Sequence, residues 1–143
     1  MFLGEHRHNL DAKNRLFIPT KYREQLDESF IIAKPARGNC LRISSIQQWN
    51  DYVDPMYDDM CDEENGPIIR MLHRLATEVT PDSQGRVVVS TDLLNLVGIT
   101  KSVVIVGCGR YIELYSEEAH AEMLAQEKAN MSEMLQSLSK IKR

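Results

Sequence analysis

At 143 residues, with 43% hydrophobic and 27% charged side chains, the chain has the make-up of one ordinary soluble domain or two very small ones. No apolar run reaches the roughly 20 residues of a membrane span. The start Met1–Arg7 lacks the apolar stretch of a secretory signal, so a cytoplasmic protein with no membrane partner is expected. The net charge of −4 excludes a generally basic nucleic-acid binder, but the charge is uneven. Residues 1–50 carry eight Lys/Arg against five acids, whereas residues 51–66 carry seven acids and no base.

In chain order, Arg7 and His8 lie on a first strand that runs into Asp11-Ala12-Lys13-Asn14-Arg15, followed by the apolar Leu16-Phe17-Ile18 and Pro19. A short helix is expected over Thr20–Leu26, with Thr20 suited to cap it. Strands follow at Phe30–Ala33 and Cys40–Ile43, separated by a loop containing Arg37-Gly38-Asn39. Ser45–Val53 reads as a short helix with Trp49 in the core, and the acidic stretch Asp58–Glu64 as a connector. A further helix is expected over Pro67–Ala76, because Pro suits a first helical turn. It would present Ile68, Met71, Leu72 and Leu75 on one face.

The second half repeats the first. Asp82-Ser83-Gln84-Gly85-Arg86 followed by Val87-Val88-Val89 matches Asp11–Ile18, with both Asp and Arg displaced by 71 residues. Thr91–Val97 then repeats the short helix, again with a threonine, Thr91, suited to cap it. Val103–Val106 and Tyr111–Leu114 repeat the two strands around Gly107-Cys108-Gly109-Arg110. Each copy, 5–50 and 77–120, is too short to bury an adequate core alone. One pseudo-symmetric, mainly β domain with α elements (α+β) is therefore expected. Segment 51–76 is its acidic connector and helix, and 116–143 is a C-terminal helical tail. In that tail Glu117 and Glu118 come first and Lys140, Lys142 and Arg143 last, as the helix dipole favours. Its stripe of Met123, Leu124, Met131, Met134, Leu135 and Leu138 reads as a packing face.

Asp-x-x-(Asn/Gly)-Arg between short strands reads as a hairpin turn. The carboxylates of Asp11 and Asp82 accept bonds from backbone N–H groups just downstream. Gly85 supplies positive φ without steric cost, and Asn14 is among the few other residues that tolerate it. Arg15 and Arg86 then start the next strand. Each has two compatible readings: pairing with its own Asp, or contact with nucleic acid. The first turn offers more cations, with Lys13 and Arg15 beside Arg7 and His8.

With these motifs the sequence resembles the MraZ family of bacterial regulators. The likeness runs from Met1-Phe2-Leu3-Gly4-Glu5-His6-Arg7 through Arg23, and again from Ala76-Thr77-Glu78-Val79 to Ile112-Glu113-Leu114-Tyr115. Asn14 and Ser90 stand where the family pattern more often has Gly and Pro. The resemblance implies two tandem AbrB-like swapped-hairpin modules and a ring-shaped homo-oligomer that binds double-stranded DNA carrying direct repeats. It also implies nucleoid association and regulation of the cell-division and cell-wall operon that holds its own gene. Arg7, His8, Lys13, Asn14, Arg15 and Arg86 are the expected DNA-binding residues; Asp11, Asn14, Asp82 and Gly85 form the turns.

Other classes fit less well. The four histidines, His6, His8, His73 and His120, stand in no recognisable catalytic pattern, and no Gly-rich phosphate loop occurs. No enzyme activity, cofactor or small-molecule substrate is expected. His6 and His8 share one strand face, but no third ligand at supporting spacing accompanies them, so no metal is expected. Cys40, Cys61 and Cys108 are widely spaced and read as reduced structural thiols. An oligomeric protein-interaction scaffold that does not bind DNA is the alternative function.

Overall fold

The structure, a computed structural model, describes residues 1–58 and 62–141. Its strands are β1 (Glu5–Asn9), β2 (Arg15–Phe17), β3 (Phe30–Ala33), β4 (Leu41–Ser44), β5 (Ala76–Val79), β6 (Arg86–Val88), β7 (Ser102–Gly107) and β8 (Ile112–Tyr115). Its helices are α1 (Thr20–Arg23), α2 (Ile46–Asp58), α3 (Asp62–Arg74), α4 (Thr91–Leu96) and α5 (Glu117–Ile141). Six strands form one antiparallel sheet in the order β1-β7-β8-β4-β3-β5, and β2 and β6 form a separate two-stranded ribbon.

The turn motifs therefore do not close ordinary hairpins. β1 pairs with β7 and β2 with β6, so the strands on either side of the Asp11 turn belong to different sheets. The second copy does the same, with β5 pairing to β3. Each repeat lends its first strand to the other's last hairpin. The reason is the one anticipated from length: a repeat this short buries its apolar strand faces only by exchange.

The exchange has a pseudo-twofold axis that can be read from the register. Leu16 faces Val87 in the ribbon, and Arg42 faces Glu113 where β4 meets β8. In both pairs the two residues occupy the same position of the two repeats. Two further bonds, Ile18 N–H to Gly85 O at 3.1 Å and Val89 N–H to Asn14 O at 2.9 Å, extend the ribbon symmetrically.

Strand alternation sorts the side chains into layers. Leu16 and Val87 of the ribbon pack with Ile32, Leu41, Ile43, Ile105, Ile112 and Leu114 in the main core. The opposite face of the large sheet carries two smaller clusters. Ile31 and Ala33 lie under Trp49 and Val53 of α2 and Leu72 of α3, while Val104 and Tyr115 lie under Ala119 of α5. Trp49 is buried, as expected.

Several local expectations change. The N-caps of α1 and α4 are Pro19 and Ser90, and the threonines are the first helical residues. Ser90 accepts from the Leu93 N–H, whereas Pro19 has no side chain able to do so. The threonine hydroxyls serve other partners: Thr20 accepts from Arg23 and Thr91 from Asn14. The segment expected as a connector is largely helical. α2 runs on through Pro55 to Asp58, and α3 begins at Asp62, so Pro67 lies inside a helix and not at its start. Acidic residue types at 62–64 favour a helix N-terminus there. Of the face expected on that helix, Leu72 is buried and Leu75 packs on the core, but Ile68 and Met71 are exposed. Asp59, Met60 and Cys61 of the acidic stretch, and Lys142 and Arg143 of the tail, lie outside the described residues.

α5 is capped by Ser116, whose hydroxyl accepts from the Ala119 N–H at 3.0 Å. His120 reaches Glu5 of β1 at 2.9 Å. Beyond this first turn the helix leaves the body. Leu124, Met131, Met134, Leu135 and Leu138 are all exposed, and of the apolar stripe Met123 packs against a core cluster of the described residues.

The layering predicts a contrast on the ribbon. Leu16 is fully buried on the axis, whereas Val88, one residue from the axial Val87, is 59% exposed. Leu16→Ala should cost about 3 kcal/mol in denaturant unfolding. Val88→Ala should stay within about 0.5 kcal/mol. Similar costs at both positions would show that the ribbon's faces are misassigned.

Candidate nucleic-acid interface

The two turns are near copies of each other. Asp11 Oδ1 accepts from the N–H groups of Lys13 and Arg15, both at 2.9 Å, and its Oδ2 accepts from Arg15 Nε at 2.6 Å. Asp82 Oδ1 accepts from Gln84 and Arg86 N–H at 2.9 and 3.0 Å, and its Oδ2 from Arg86 Nε at 2.9 Å. One carboxylate thus fixes the backbone of each turn and the base of the next arginine. The Arg15 N–H bond is the main force holding Asp11 down to about 2, and Asp82 is lowered in the same way by Arg86. The turns need positive φ at their fourth residue, which Asn14 meets at 57° and Gly85 at 80°.

Across the axis the two clamps touch. Arg86 Nη1 lies 3.9 Å from Asp11 Oδ2, so both arginines converge on one patch. Each spends Nε on its own Asp, which leaves Nη donors for an outside partner. On the ribbon's outer face Arg15 stands opposite Val88 and Arg86 opposite Phe17. Lys13 is exposed at the turn tip with no ion-pair partner among the described residues. The Asn14 amide is turned inward to Thr91 Oγ1 at 3.1 Å.

Sequence reasoning missed Arg23. Its guanidinium lies 5.4 Å above the Phe17 ring and donates to Ile18 O at 2.8 Å and Thr20 Oγ1 at 2.9 Å. It fills the space that Gly85 leaves open. A Cβ on Gly85 would stand 2.5 Å from Arg23 Cζ. The corresponding residue of the second repeat is Leu94, so comparing the copies gave no signal for it.

Two expected residues are not part of this patch in the same sense. Arg7 points to the opposite face of the large sheet, where its Nε meets Glu117 Oε1 at 3.1 Å. His8 faces the ribbon, but its ring packs edge-on against Phe17 at 5.3 Å. Burial, and then the charge of His6, lowers its pKa and so disfavours the charged form. His6 meets the Tyr22 ring edge-on, and no group of three or more metal-ligating side chains occurs among the described residues.

Two interlocked copies of a strand–turn–strand–helix–hairpin unit, with a cationic ribbon at one end of their axis, define a double swapped-hairpin protein. A family model described as "MraZ protein, putative antitoxin-like" matches residues 1–64 and 72–140. A protein of Clostridium tetani named Transcriptional regulator MraZ is 34% identical over 123 residues, covering 85% of this chain and 86% of its own. Proteins of the same name from Ligilactobacillus salivarius and Dictyoglomus turgidum are 30% and 31% identical, each over 96% or more of both chains. The chain belongs to the MraZ family, and its fold is that of two tandem AbrB-like modules.

Two outcomes follow from this geometry. Gly85→Ala should destabilise by roughly 1–2 kcal/mol through its left-handed backbone. The loss should be smaller in an Arg23→Ala background, where the crowded guanidinium is gone, as a double-mutant cycle would show. Additive effects would mean that Arg23 does not occupy the space beside Gly85.

The second outcome concerns acid. Asp11 titrates near 2 when folded and at 3.8 in its reference state, so its stabilising effect is complete above about pH 4 and disappears as pH falls through 2. Melting temperature should fall over that window, and less steeply in Asp11→Asn. The amide oxygen can still accept backbone bonds but has no proton to gain. Identical acid profiles would remove Asp11 from the list of groups that set acid stability.

Proposed function

We propose that the chain is a transcriptional regulator that binds double-stranded DNA through the β2–β6 ribbon and its two turns, and that it is not an enzyme. The observation that carries this is the convergence of Arg15 and Arg86 on the ribbon's outer face, each held by its Asp through Nε, with Arg86 Nη1 also 3.9 Å from Asp11. A two-stranded ribbon is narrow enough for the major groove, and a pre-positioned guanidinium suits phosphate or a guanine edge. Lys13 and Arg23 add charge, and exposed Val88 offers an apolar contact. Asn14 takes part by shaping the turn. Arg7 and His8 join only if DNA displaces Glu117 and Phe17, so they rank behind Lys13, Asn14, Arg15, Arg23 and Arg86. The name carried by the relatives, transcriptional regulator, agrees with this reading.

One patch this small supplies few phosphate contacts, and the chain as a whole is acidic. Binding therefore rests on a homo-oligomer, a ring in which several copies engage direct repeats together. Linked sites of this kind raise avidity by roughly 10²–10⁴. The exposed apolar stripe of α5 is surface available for such assembly. The proposed target is the DNA upstream of its own gene, in the operon of cell-division and cell-wall genes, which places the protein on the nucleoid.

Fluorescence anisotropy with probes carrying one, two or three copies of the repeated box tests this. Three boxes should bind far more tightly than one, with steep salt dependence from counterion release. Lys13→Ala/Arg15→Ala should abolish specific binding while leaving circular dichroism and melting nearly unchanged. Equal affinity for one box and three, or a double variant that binds like wild type, would overturn the proposal. Failure of the wild type to bind any upstream DNA would favour an antitoxin-like interaction scaffold, the sense of the family description.

A further inference from the structure

At the other end of the pseudo-twofold axis, on the sheet face away from the ribbon, a cavity of about 250 Å³ lies between α2 and the β4–β8 strands. Its lining includes Arg42, Ser44, Gln48, Tyr52, Arg110 and Tyr111. The Arg42 guanidinium is held between two aromatic rings, 3.9 Å from the centroid of Tyr111 and 4.9 Å from that of Tyr52. Rings cap the faces of a planar cation and leave its N–H donors in the plane.

Those donors have no partner. Arg42 Nε is buried without a hydrogen bond, and the Arg42 side chain makes no hydrogen bond or ion pair to any described residue. The carboxylate that faces it across the strands, Glu113, is engaged elsewhere. It accepts from Cys108 Sγ at 3.3 Å, Cys40 Sγ at 3.4 Å and Tyr115 OH at 2.9 Å. Burial pushes both thiols up to about 12, so they are neutral and do not balance the guanidinium. Asp51, the other acid on the lining, accepts from the Gln47 amide at 2.9 Å and makes no ion pair with Arg42 or Arg110. A partly buried cation without a hydrogen-bonded counter-charge is unfavourable unless something supplies one.

We propose that this cavity binds a small oxyanion-bearing molecule, with its anionic group at the Nη donors of Arg42 and at Arg110. Two guanidinium groups on one cavity favour a dianion, which points to a phosphomonoester over a monocarboxylate. The Ser44 hydroxyl and the Gln48 amide provide neutral bonds to the same group or to the body it carries, and the Tyr52 and Tyr111 rings form apolar walls. The cavity's size restricts the ligand to a small metabolite. The cysteines and Glu113 stay outside the binding set, because the carboxylate would repel the ligand. This site is separate from the ribbon and does not depend on the DNA reading.

Isothermal titration of the full-length protein with inorganic phosphate, ribose 5-phosphate and acetate tests the proposal. Phosphate and the sugar phosphate should bind saturably and acetate at least tenfold more weakly. Comparable binding of acetate would overturn the preference for a dianion. Arg42→Gln should weaken phosphate binding roughly ten- to hundredfold, the scale of a lost charge-assisted bond. The Lys13→Ala/Arg15→Ala/Arg86→Ala variant should bind phosphate as the wild type does. Arg110→Gln alters an exposed side chain, leaves the fold intact, and should weaken binding severalfold even if the Arg42 variant does not fold. Absence of saturable phosphate binding, loss of binding in the ribbon variant, or full affinity in Arg110→Gln would overturn it.

Discussion

Neither repeat can satisfy its own strands. β1 finds its hydrogen-bond partners in β7, and β5 finds its own in β3, so each half of the chain is completed by the other. The strands flanking each Asp turn diverge into different sheets. Two backbone bonds close each corner without continuing into a ladder, and the carboxylates of Asp11 and Asp82 reinforce them with bonds to the backbone and to the next arginine. The clamp that the exchange requires is therefore also the device that orients Arg15 and Arg86. Fold and candidate interface rest on the same two acids.

This explains how an acidic chain can present a cationic end. The ordered cations at the ribbon are Lys13, Arg15, Arg23 and Arg86, and the two acids beside them are consumed internally by the turns. The excess of acid lies elsewhere, mainly in residues 51–66. Charges on the opposite sheet face do different work. Arg7 with Glu117 and Glu5 with His120 tie α5 to β1, so the first strand joins the ribbon layer on one side and the helix on the other.

Much of this was legible from the residues. The two Asp-x-x-(Asn/Gly)-Arg motifs located both turns, and the positive φ of Asn14 and Gly85 followed from residue type. Apolar runs located β3, β4, β7 and β8 to within a residue or two. What sequence could not show is partnership. A motif with strands on both sides looks like a hairpin whether or not those strands pair, and only the buried core settles that β2 belongs with β6. Adjacent residues on a strand also look equivalent on paper, so Arg7 and His8 were grouped although they face opposite ways. Comparing the repeats exposed only what they share. Arg23, matched to Leu94, and Arg42, matched to Glu113, lie where the copies differ. The stripe of α5 was legible as apolar, but its exposure was not.

Where β4 meets β8, Arg42 and Glu113 stand opposite each other in register without forming an ion pair. In a dimer of two identical modules, any residue on the twofold axis meets its own copy, so an arginine there would face an arginine. Covalent linkage of the two modules lifts that restriction, and here unlike charges occupy the same axial position. The molecule accordingly has a front and a back despite its near symmetry. Copies that associate through such unlike halves meet head to tail. Whether they form a closed circle or an open filament is then decided by the angle between neighbours.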